Sequence, residues 1–143
     1  MYFEANHGQS DPKVKFLSRG PGYALFLTNA ETVLALRKPL AGADESSVIS
    51  RVLSMRSGGK QKIVNGKVFK EAVLKMNLVG SNPSPKIAGL EKLPGKSHYL
   101  AGNNPEKWHT DVPRYARVKY EDVYPGIDMV YYGNQQQLEY DFV

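Results

Sequence analysis

The sequence predicts an all-β domain, an antiparallel two-sheet sandwich of about eight or nine strands. Apolar and polar side chains alternate with a period of two along most of the chain, which is the pattern of half-buried strands. Glycine, proline and asparagine turn signals interrupt this alternation about every ten residues, a spacing typical of sandwiches. Only residues 46–55 carry apolar side chains at spacings of three and four, so one short helix there is an alternative to an irregular loop.

The first strands are predicted to form a meander. Segments 13–19, 23–28 and 31–37 each alternate, and short breaks such as Gly20-Pro21-Gly22 separate them. Because consecutive strands joined by tight turns pair with each other, we expect three antiparallel neighbours.

Residues 38–67 are predicted to be an irregular insertion within a single domain that spans 1–143. Proline and glycine breakers interrupt this stretch repeatedly. Its last turn signal, Asn65-Gly66, favours a two-residue hairpin that leads into the strongest predicted strand, 68–79.

The second half of the chain ends in a predicted hairpin. A short strand at 97–100 and a longer one from Pro113 precede it, and Gly133-Asn134 is the predicted turn between its two strands. The alternation of the last strand continues to Val143 without a terminating turn. Since an apolar strand that ends on a bare sheet edge invites aggregation, we expect a C-terminally incomplete domain, a fragment that continues beyond residue 143.

The composition narrows the possible chemistry. The chain has no cysteine, which excludes disulfides, thiolate zinc sites and cysteine nucleophiles. No apolar run approaches the roughly 18 residues of a membrane span, and residues 1–9 lack the basic and apolar regions of a signal peptide. No Gly-x-Ser-x-Gly elbow or phosphate-binding loop occurs, and the three histidines are far apart in sequence, so no catalytic residues are predicted.

The net charge of +5 is unevenly distributed. Residues 1–119 hold all 19 lysines and arginines and nine acids, a net charge of +10, whereas residues 120–143 hold five acids and no base. Nucleic-acid-binding domains pair basic charge with a groove-entering helix or an aromatic platform. The most basic stretch has a single aromatic residue, so we expect a solvated surface and no nucleic-acid partner. Its basic residues are Arg51, Arg56, Lys60, Lys62, Lys67 and Lys70.

Three segments carry a family resemblance: FEANHGQSDPKVKFLSRGPGYALFLT, LPGKSHYLAGNNPEKWHTDVP and VPRYARVKYEDVYPGIDMVYYGNQQQLEYDFV. Together they resemble an uncharacterised bacterial domain found near the N-terminus of exported proteins that often carry SBBP-type β-propeller repeats. The resemblance implies an all-β fold and an extracellular or cell-surface location. It also implies downstream β-domains or propeller repeats of the same polypeptide as partners, and it supplies no catalytic residues.

Three acidic residues in the last hairpin form the sharpest candidate site. The period of two places Asp128, Glu139 and Asp141 on the polar faces of their two strands. If the turn lies at Asn134-Gln135, Asp128 is expected across from or diagonal to Glu139 or Asp141. Three carboxylates within reach of each other suit Ca²⁺, and two of them suit a glycosidase acid pair. The favoured interpretation is a solvated face whose carboxylates pair with Arg117 and Lys119 of the preceding strand.

Aromatic residues concentrate in the same part of the chain. Trp108, Tyr131 and Tyr132 are candidate ligand-binding residues, because an exposed tyrosine and tryptophan platform suits sugar rings. Adjacent residues of a strand face opposite ways, so Tyr131 and Tyr132 cannot both lie on one surface. Core packing of the inward-facing ring is the favoured interpretation.

The sequence therefore leaves three functional hypotheses. The leading one is a non-catalytic structural or interaction module of an exported, multi-domain bacterial protein, without a cofactor. The second is a carbohydrate-binding module, with calcium as a possible cofactor and a glycan as partner. The third is a glycoside-processing domain that uses the acidic residues of the last hairpin.

Overall fold

The computed structural model confirms the all-β, antiparallel class. Its described backbone covers residues 1–39, 60–64, 67–135 and 137–143, with side chains described for 1–38, 70–135 and 137–143. Within these ranges one 3₁₀ turn, Pro105–Lys107, is the sole helical element, and no helix is long and apolar enough to cross a membrane. The helix considered for 46–55 and the turn at 65–66 lie outside the described residues.

The described residues form ten strands, slightly more than the sequence predicts. They are β1 Phe3–Ala5, β2 Val14–Gly20, β3 Tyr23–Thr28, β4 Glu31–Pro39, β5 Lys60–Val64, β6 Lys67–Asn77, β7 Lys86–Tyr99, β8 His109–Tyr124, β9 Ile127–Asn134 and β10 Gln137–Phe142. The predicted insertion at 38–67 therefore contributes regular structure at both ends, the end of β4 and all of β5.

All ten strands belong to one hydrogen-bonded sheet, where the sequence predicts two. The strand order is β10-β9-β8-β1-β2-β3-β4-β6-β5, and β7 also pairs with β8. The predicted meander is confirmed, since β2, β3 and β4 pair consecutively and antiparallel.

The length of β8 explains why one sheet packs as two layers. Tyr115 of this 16-residue strand pairs with β1 and with β7, whereas Arg117 pairs with β9 and with β7. A strand residue has one partner on each side, so β1 and β9 share the edge of β8 opposite β7. The sheet branches between them, and the branch with β9 and β10 folds over the branch with β1 to β6.

Two hydrogen bonds join the layers across the interior. The hydroxyls of Tyr131 in β9 and Thr32 in β4 lie 2.6 Å apart, and the Tyr120 hydroxyl donates to the Thr28 carbonyl at 2.9 Å. The sheet thus curls into a half-barrel whose two sides face each other, which is the sandwich-like packing predicted.

The hydrophobic core lies between the two layers. Leu25 and Leu27 of β3 and Tyr131 of β9 have no exposed surface. Each buried side chain of this size contributes about 1.5–3 kcal/mol, so the alternation along these strands is a main source of stability. The core cluster comprises Phe3, Phe16, Leu25, Leu27, Val118, Tyr120, Val123, Met129 and Tyr131.

The stretch before Ser97 is a strand, although it contains Pro94 and Gly95. It forms most of the 14-residue strand β7, and the predicted strand at 97–100 is the end of that strand. A register irregularity between Lys92 and Lys96 accommodates Pro94. Within the described chain β7 pairs only with β8, so a proline there interrupts few ladder bonds.

The turn of the last hairpin comes later than predicted. β9 continues through Gly133 and Asn134, and Gln135 occupies the turn with φ of 46°. Gly133 is required by a close approach, since a Cβ at this position would lie 2.6 Å from the Cβ of Met1. The glycine therefore marks contact with the N-terminus and not a change of direction.

Candidate interaction site at the edge of the sheet

β10 is an edge strand. Among the described residues it pairs only with β9, and its ladder contains no register shift. Val143, just after β10, exchanges two backbone hydrogen bonds with Asp128, with N···O distances of 2.8 and 2.9 Å. Bonded and non-bonded pairs alternate along an antiparallel ladder, so Asp141 and Glu139 also direct their backbone groups toward β9.

The alternate residues of β10 point their backbone groups the other way. The N–H and C=O groups of Leu138, Tyr140 and Phe142 are directed to the outer edge, where no strand in the described part of the chain meets them. This edge therefore presents three donors and three acceptors in the spacing of a β-ladder.

The side chains of the same residues extend the core to the surface. The rings of Tyr131 and Tyr140 lie 5.8 Å apart between centroids, and those of Tyr140 and Phe142 lie 6.0 Å apart. Tyr131 is fully buried, whereas Tyr140 and Phe142 are 44% and 49% exposed. A row of aromatic rings thus runs from the interior to the open edge.

The opposite face of the hairpin is acidic, as predicted. Asp128, Glu139 and Asp141 share this face, because their β-ladder partners are Val143, Tyr132 and Val130. The later turn places Asp128 opposite Val143, so no two of the three carboxylate residues are directly paired.

Each carboxylate of this face has its own partner. Asp128 forms an ion pair with Lys119 at 2.9 Å and accepts the Asp122 N–H at 2.8 Å. Asp141 accepts the Tyr132 hydroxyl at 3.0 Å, and Glu139 accepts the side-chain amide of Asn134 at 3.3 Å. In the described part of the chain, no group of three or more His, Cys, Asp or Glu side chains is arranged to hold a metal ion.

The predicted pairing with β8 is confirmed for Lys119 alone. Arg117 pairs instead with Glu91 of β7 at 3.3 Å, and its guanidinium lies 5.6 Å from the centre of the Tyr132 ring. Glu139 and Asp141 are therefore left with neutral hydrogen-bond donors, while Asp128 is neutralised.

Asp128→Asn is expected to reduce the loss in the free energy of unfolding that occurs between neutral pH and about pH 3. The Asp122 N–H and the Lys119 ammonium hold the pKa of the Asp128 carboxyl below its usual value. Such a group contributes stability above its unfolded-state pKa of about 3.9 and loses that contribution as the pH falls through the lower folded-state value. Urea unfolding from neutral pH to about pH 3 measures the difference.

The matched variant for this test is Lys119→Gln. It removes one of the two donors to Asp128, so it is expected to reduce the loss at acid pH less than Asp128→Asn does. Identical acid slopes for the wild type and Asp128→Asn contradict the assigned role of this carboxylate.

Two other strands of the described sheet, β5 and β7, also have a free edge, and both differ from β10. β5 has two lysines among its five residues. Pro94 lies within β7, the backbone of Glu91 is left-handed at φ of 56°, and Lys86, Lys92 and Lys96 add positive charge. Proline, irregular backbone and lysine are the features that keep edge strands from pairing with other chains. β10 has neither proline nor lysine and its register is regular, so it is the most receptive of these edges.

The three predicted ligand residues do not form one platform. Tyr131 is wholly buried in the core, which corrects its assignment as a ligand-binding residue. Tyr132 lies on the outer face, where the hydrogen bond to Asp141 raises its pKa to about 12. Trp108 lies immediately before the first residue of β8 and donates its indole N–H to the Gly102 carbonyl at 3.1 Å.

Sequence reasoning missed a buried polar network on the outer side of β1. Glu4, 5% exposed, accepts hydrogen bonds from the hydroxyls of Ser97 and Tyr99, and Arg114 donates to the Ser97 hydroxyl at 2.8 Å. Glu4 pairs with Leu17 of β2, so both lie on the face opposite the main core, covered by the end of β7. Burial, followed by the hydrogen bond to Glu4, raises the pKa of Tyr99 to about 12.

No sequence signal points to this network. Glu4 precedes its hydroxyl partners by 93 and 95 residues, and β1 is only three residues long. The network ties the N-terminal strand to the β7–β8 hairpin, which is a structural role.

The fold and its edge define a class of protein. It is an all-β domain whose described strands form a single curled sheet, in which the regular, aromatic and acid-faced strand β10 has no outer neighbour among the described residues. The chain belongs to the family described as Domain of unknown function (DUF7948), whose model matches residues 3–143. This match confirms the expected uncharacterised domain. No curated protein and no solved structure matches the chain.

Proposed function

We propose that this domain is a non-catalytic interaction module that binds an extended polypeptide segment by adding it as a strand to the outer edge of β10. The observation that carries the proposal is the set of outward backbone groups at Leu138, Tyr140 and Phe142. Strand addition to an open sheet edge is a common mode of peptide recognition, in which main-chain hydrogen bonds supply much of the affinity.

The energetics of this edge favour an occupant. Each hydrogen bond formed contributes a net of about 0.5–1.5 kcal/mol, and several are available at this edge. An added strand would also cover the half-exposed rings of Tyr140 and Phe142. Burial of that apolar surface adds about 25 cal/mol per Å² before the cost of ordering the partner is subtracted.

The wider context is part of the same proposal. The domain would belong to an exported or cell-surface, multi-domain bacterial protein and would contact β-domains or propeller repeats of that polypeptide. The support is the resemblance over the three segments quoted above. The coding sequence on either side of the chain tests this context, since an export signal and downstream repeats are expected there.

Tyr140→Pro is expected to abolish strand addition and leave the β9–β10 ladder intact. Proline removes the outward N–H of residue 140, which has no partner in the described sheet, and its φ is compatible with an edge strand. Seven-residue peptides of alternating valine and serine serve as neutral probes, with binding measured by fluorescence anisotropy. Protection of the amides of residues 138, 140 and 142 from hydrogen exchange reports the position of the added strand.

Tyr140→Ala is the matched control. It loses the same ring, so it is expected to bind the probe more weakly than wild type. It keeps the N–H, so it is expected to bind at least about fivefold more tightly than Tyr140→Pro, a difference equivalent to one hydrogen bond. The proposal is overturned if wild type, Tyr140→Ala and Tyr140→Pro show the same affinity, or if exchange protection appears elsewhere in the domain.

A further inference from the structure

We infer that the segment bound at β10 alternates apolar residues with lysine or arginine. This inference rests on the proposed strand addition and specifies the chemistry of the partner. Residues of an added strand alternate between the two faces of the sheet, so the two faces of β10 decide what each set must be.

The outer face of β10 calls for positive charge. Glu139 and Asp141 both lie on this face, opposite to the face of Tyr140. Their described hydrogen-bond donors, Asn134 and Tyr132, are both neutral. In the described chain neither carboxylate takes part in an ion pair, in contrast to Asp128 with Lys119. The segment 120–143 has five acids and no base. The two cations that β8 presents on this face, Arg117 and Lys119, form their ion pairs with other carboxylates.

An incoming strand places its outward side chains beside these carboxylates. Laterally neighbouring residues of adjacent strands have Cβ atoms about 5 Å apart, which is within reach of an ion pair for lysine and arginine. Acidic residues at the same positions would face like charges, which disfavours them. The outer face therefore selects basic partners and rejects acidic ones.

The inner face of β10 calls for apolar side chains. Leu138, Tyr140 and Phe142 point inward together with Tyr131, which belongs to the core. Successive strands of the two layers face each other in the same order. β8 faces β3 through the Tyr120 hydrogen bond, and β9 faces β4 through the Tyr131 hydrogen bond. Continued by one strand in each layer, this order sets β10 against β6, so we expect a strand added beyond β10 to extend the apolar layer.

The facing layer has uncovered apolar surface in this direction. Leu25, Leu34 and Leu74 form one row across β3, β4 and β6. Leu25 is fully buried, whereas Leu74 at the end of the row is 58% exposed. The inner side chains of an added strand would lie toward this uncovered end of the row, so apolar residues fit there.

Three peptides of equal length test the partner's chemistry. Each has valine at alternate positions, with lysine, serine or glutamate at the others, and the intact domain is the receptor. The lysine peptide is expected to bind about three- to tenfold more tightly than the serine peptide at low salt, the range for two exposed ion pairs. The glutamate peptide is expected to bind most weakly, and the lysine preference should shrink between 0.05 and 1 M salt, roughly the range over which screening becomes complete.

A charge-neutral variant separates this inference from the proposed function. The double variant Glu139→Gln with Asp141→Asn keeps the hydrogen-bond acceptors but removes both charges. It is expected to bind the serine peptide as wild type does and to lose the preference for lysine. Glu106→Gln, which removes one charge from the 3₁₀ turn, is the matched control and should keep that preference.

The outcomes are distinguishable. Equal binding of the three peptides, with Tyr140→Pro still weaker than Tyr140→Ala, overturns the basic partner but retains strand addition. Loss of the difference between Tyr140→Pro and Tyr140→Ala for every peptide overturns both. Self-association of the free domain that Tyr140→Pro alone removes, without peptide binding, identifies a second copy as the occupant and also contradicts the inference.

Discussion

Tyr131→Ala is expected to lower the free energy of unfolding by about 3–5 kcal/mol, the usual cost of truncating a core aromatic residue. The Tyr131 ring has no exposed surface and packs against Tyr120 with 5.7 Å between ring centroids. Its hydroxyl bonds to that of Thr32 across the interior, so the side chain joins β9 to β4. Because the two layers are branches of one sheet, this contact helps to hold the half-barrel closed.

The measurement for Tyr131 is urea unfolding combined with thermal melting. For a chain of this size, the expected loss corresponds to a fall in Tm of about 10–17 °C. Tyr131→Phe keeps the ring and removes only the hydroxyl, so it should cost about 1 kcal/mol and remain measurable if the alanine variant does not fold. Tyr132→Ala, next to it on the exposed face, is the matched control and should cost much less. Equal losses for Tyr131→Ala and Tyr132→Ala would contradict the placement of Tyr131 in the core.

Glu4→Ala is expected to destabilise the domain by about 3 kcal/mol, because it removes a buried acceptor of two hydrogen bonds. The half-buried Tyr99 hydroxyl loses its partner, and the buried Ser97 hydroxyl keeps only Arg114. Ser97 and Tyr99 both donate to the Glu4 carboxylate, and Arg114 bonds to Ser97 behind it. The lost contacts also release the end of β7 from β1, where Leu17 is otherwise fully buried.

Glu4→Gln distinguishes the charge of this group from its packing. Glutamine keeps an acceptor and the shape of the side chain, so its cost should be small beside that of alanine. The pKa of Tyr99, raised to about 12 by burial and then by Glu4, is expected to fall in this variant. Ultraviolet titration of tyrosinate measures that shift, and an unchanged titration in Glu4→Gln would contradict the contact.

The sign of the accompanying pH effect follows from linkage. A tyrosine with a raised folded-state pKa contributes stability below its unfolded-state value of about 10 and loses that contribution as the pH rises through about 12. Stability of the wild type should therefore fall across this alkaline window, and Glu4→Gln should reduce the part of the fall that comes from Tyr99.

Local patterns predicted most of the strands because alternation depends only on neighbouring residues. Segments such as 23–28 and 31–37 match β3 closely and most of β4, and the shared face of Asp128, Glu139 and Asp141 is also confirmed. Where the prediction failed, the residue type was explained by a contact with a residue distant in the sequence and not by its neighbours. Gly133 indicates a turn from its neighbours alone, yet it is required by the approach of Met1.

The sequence by itself determined the all-β class, the antiparallel meander and the two-faced character of the last hairpin, since each follows from a period of two. Only the tertiary structure decided that the strands form one branched sheet, because the branch depends on where β1 and β9 meet the same edge of β8. It also decided which tyrosine is buried and brought Glu4 to Ser97 and Tyr99. Contacts between residues more than ninety positions apart leave no periodic trace in a sequence. The open edge of β10 arises in the same way, from which strands lie beside it in the folded domain.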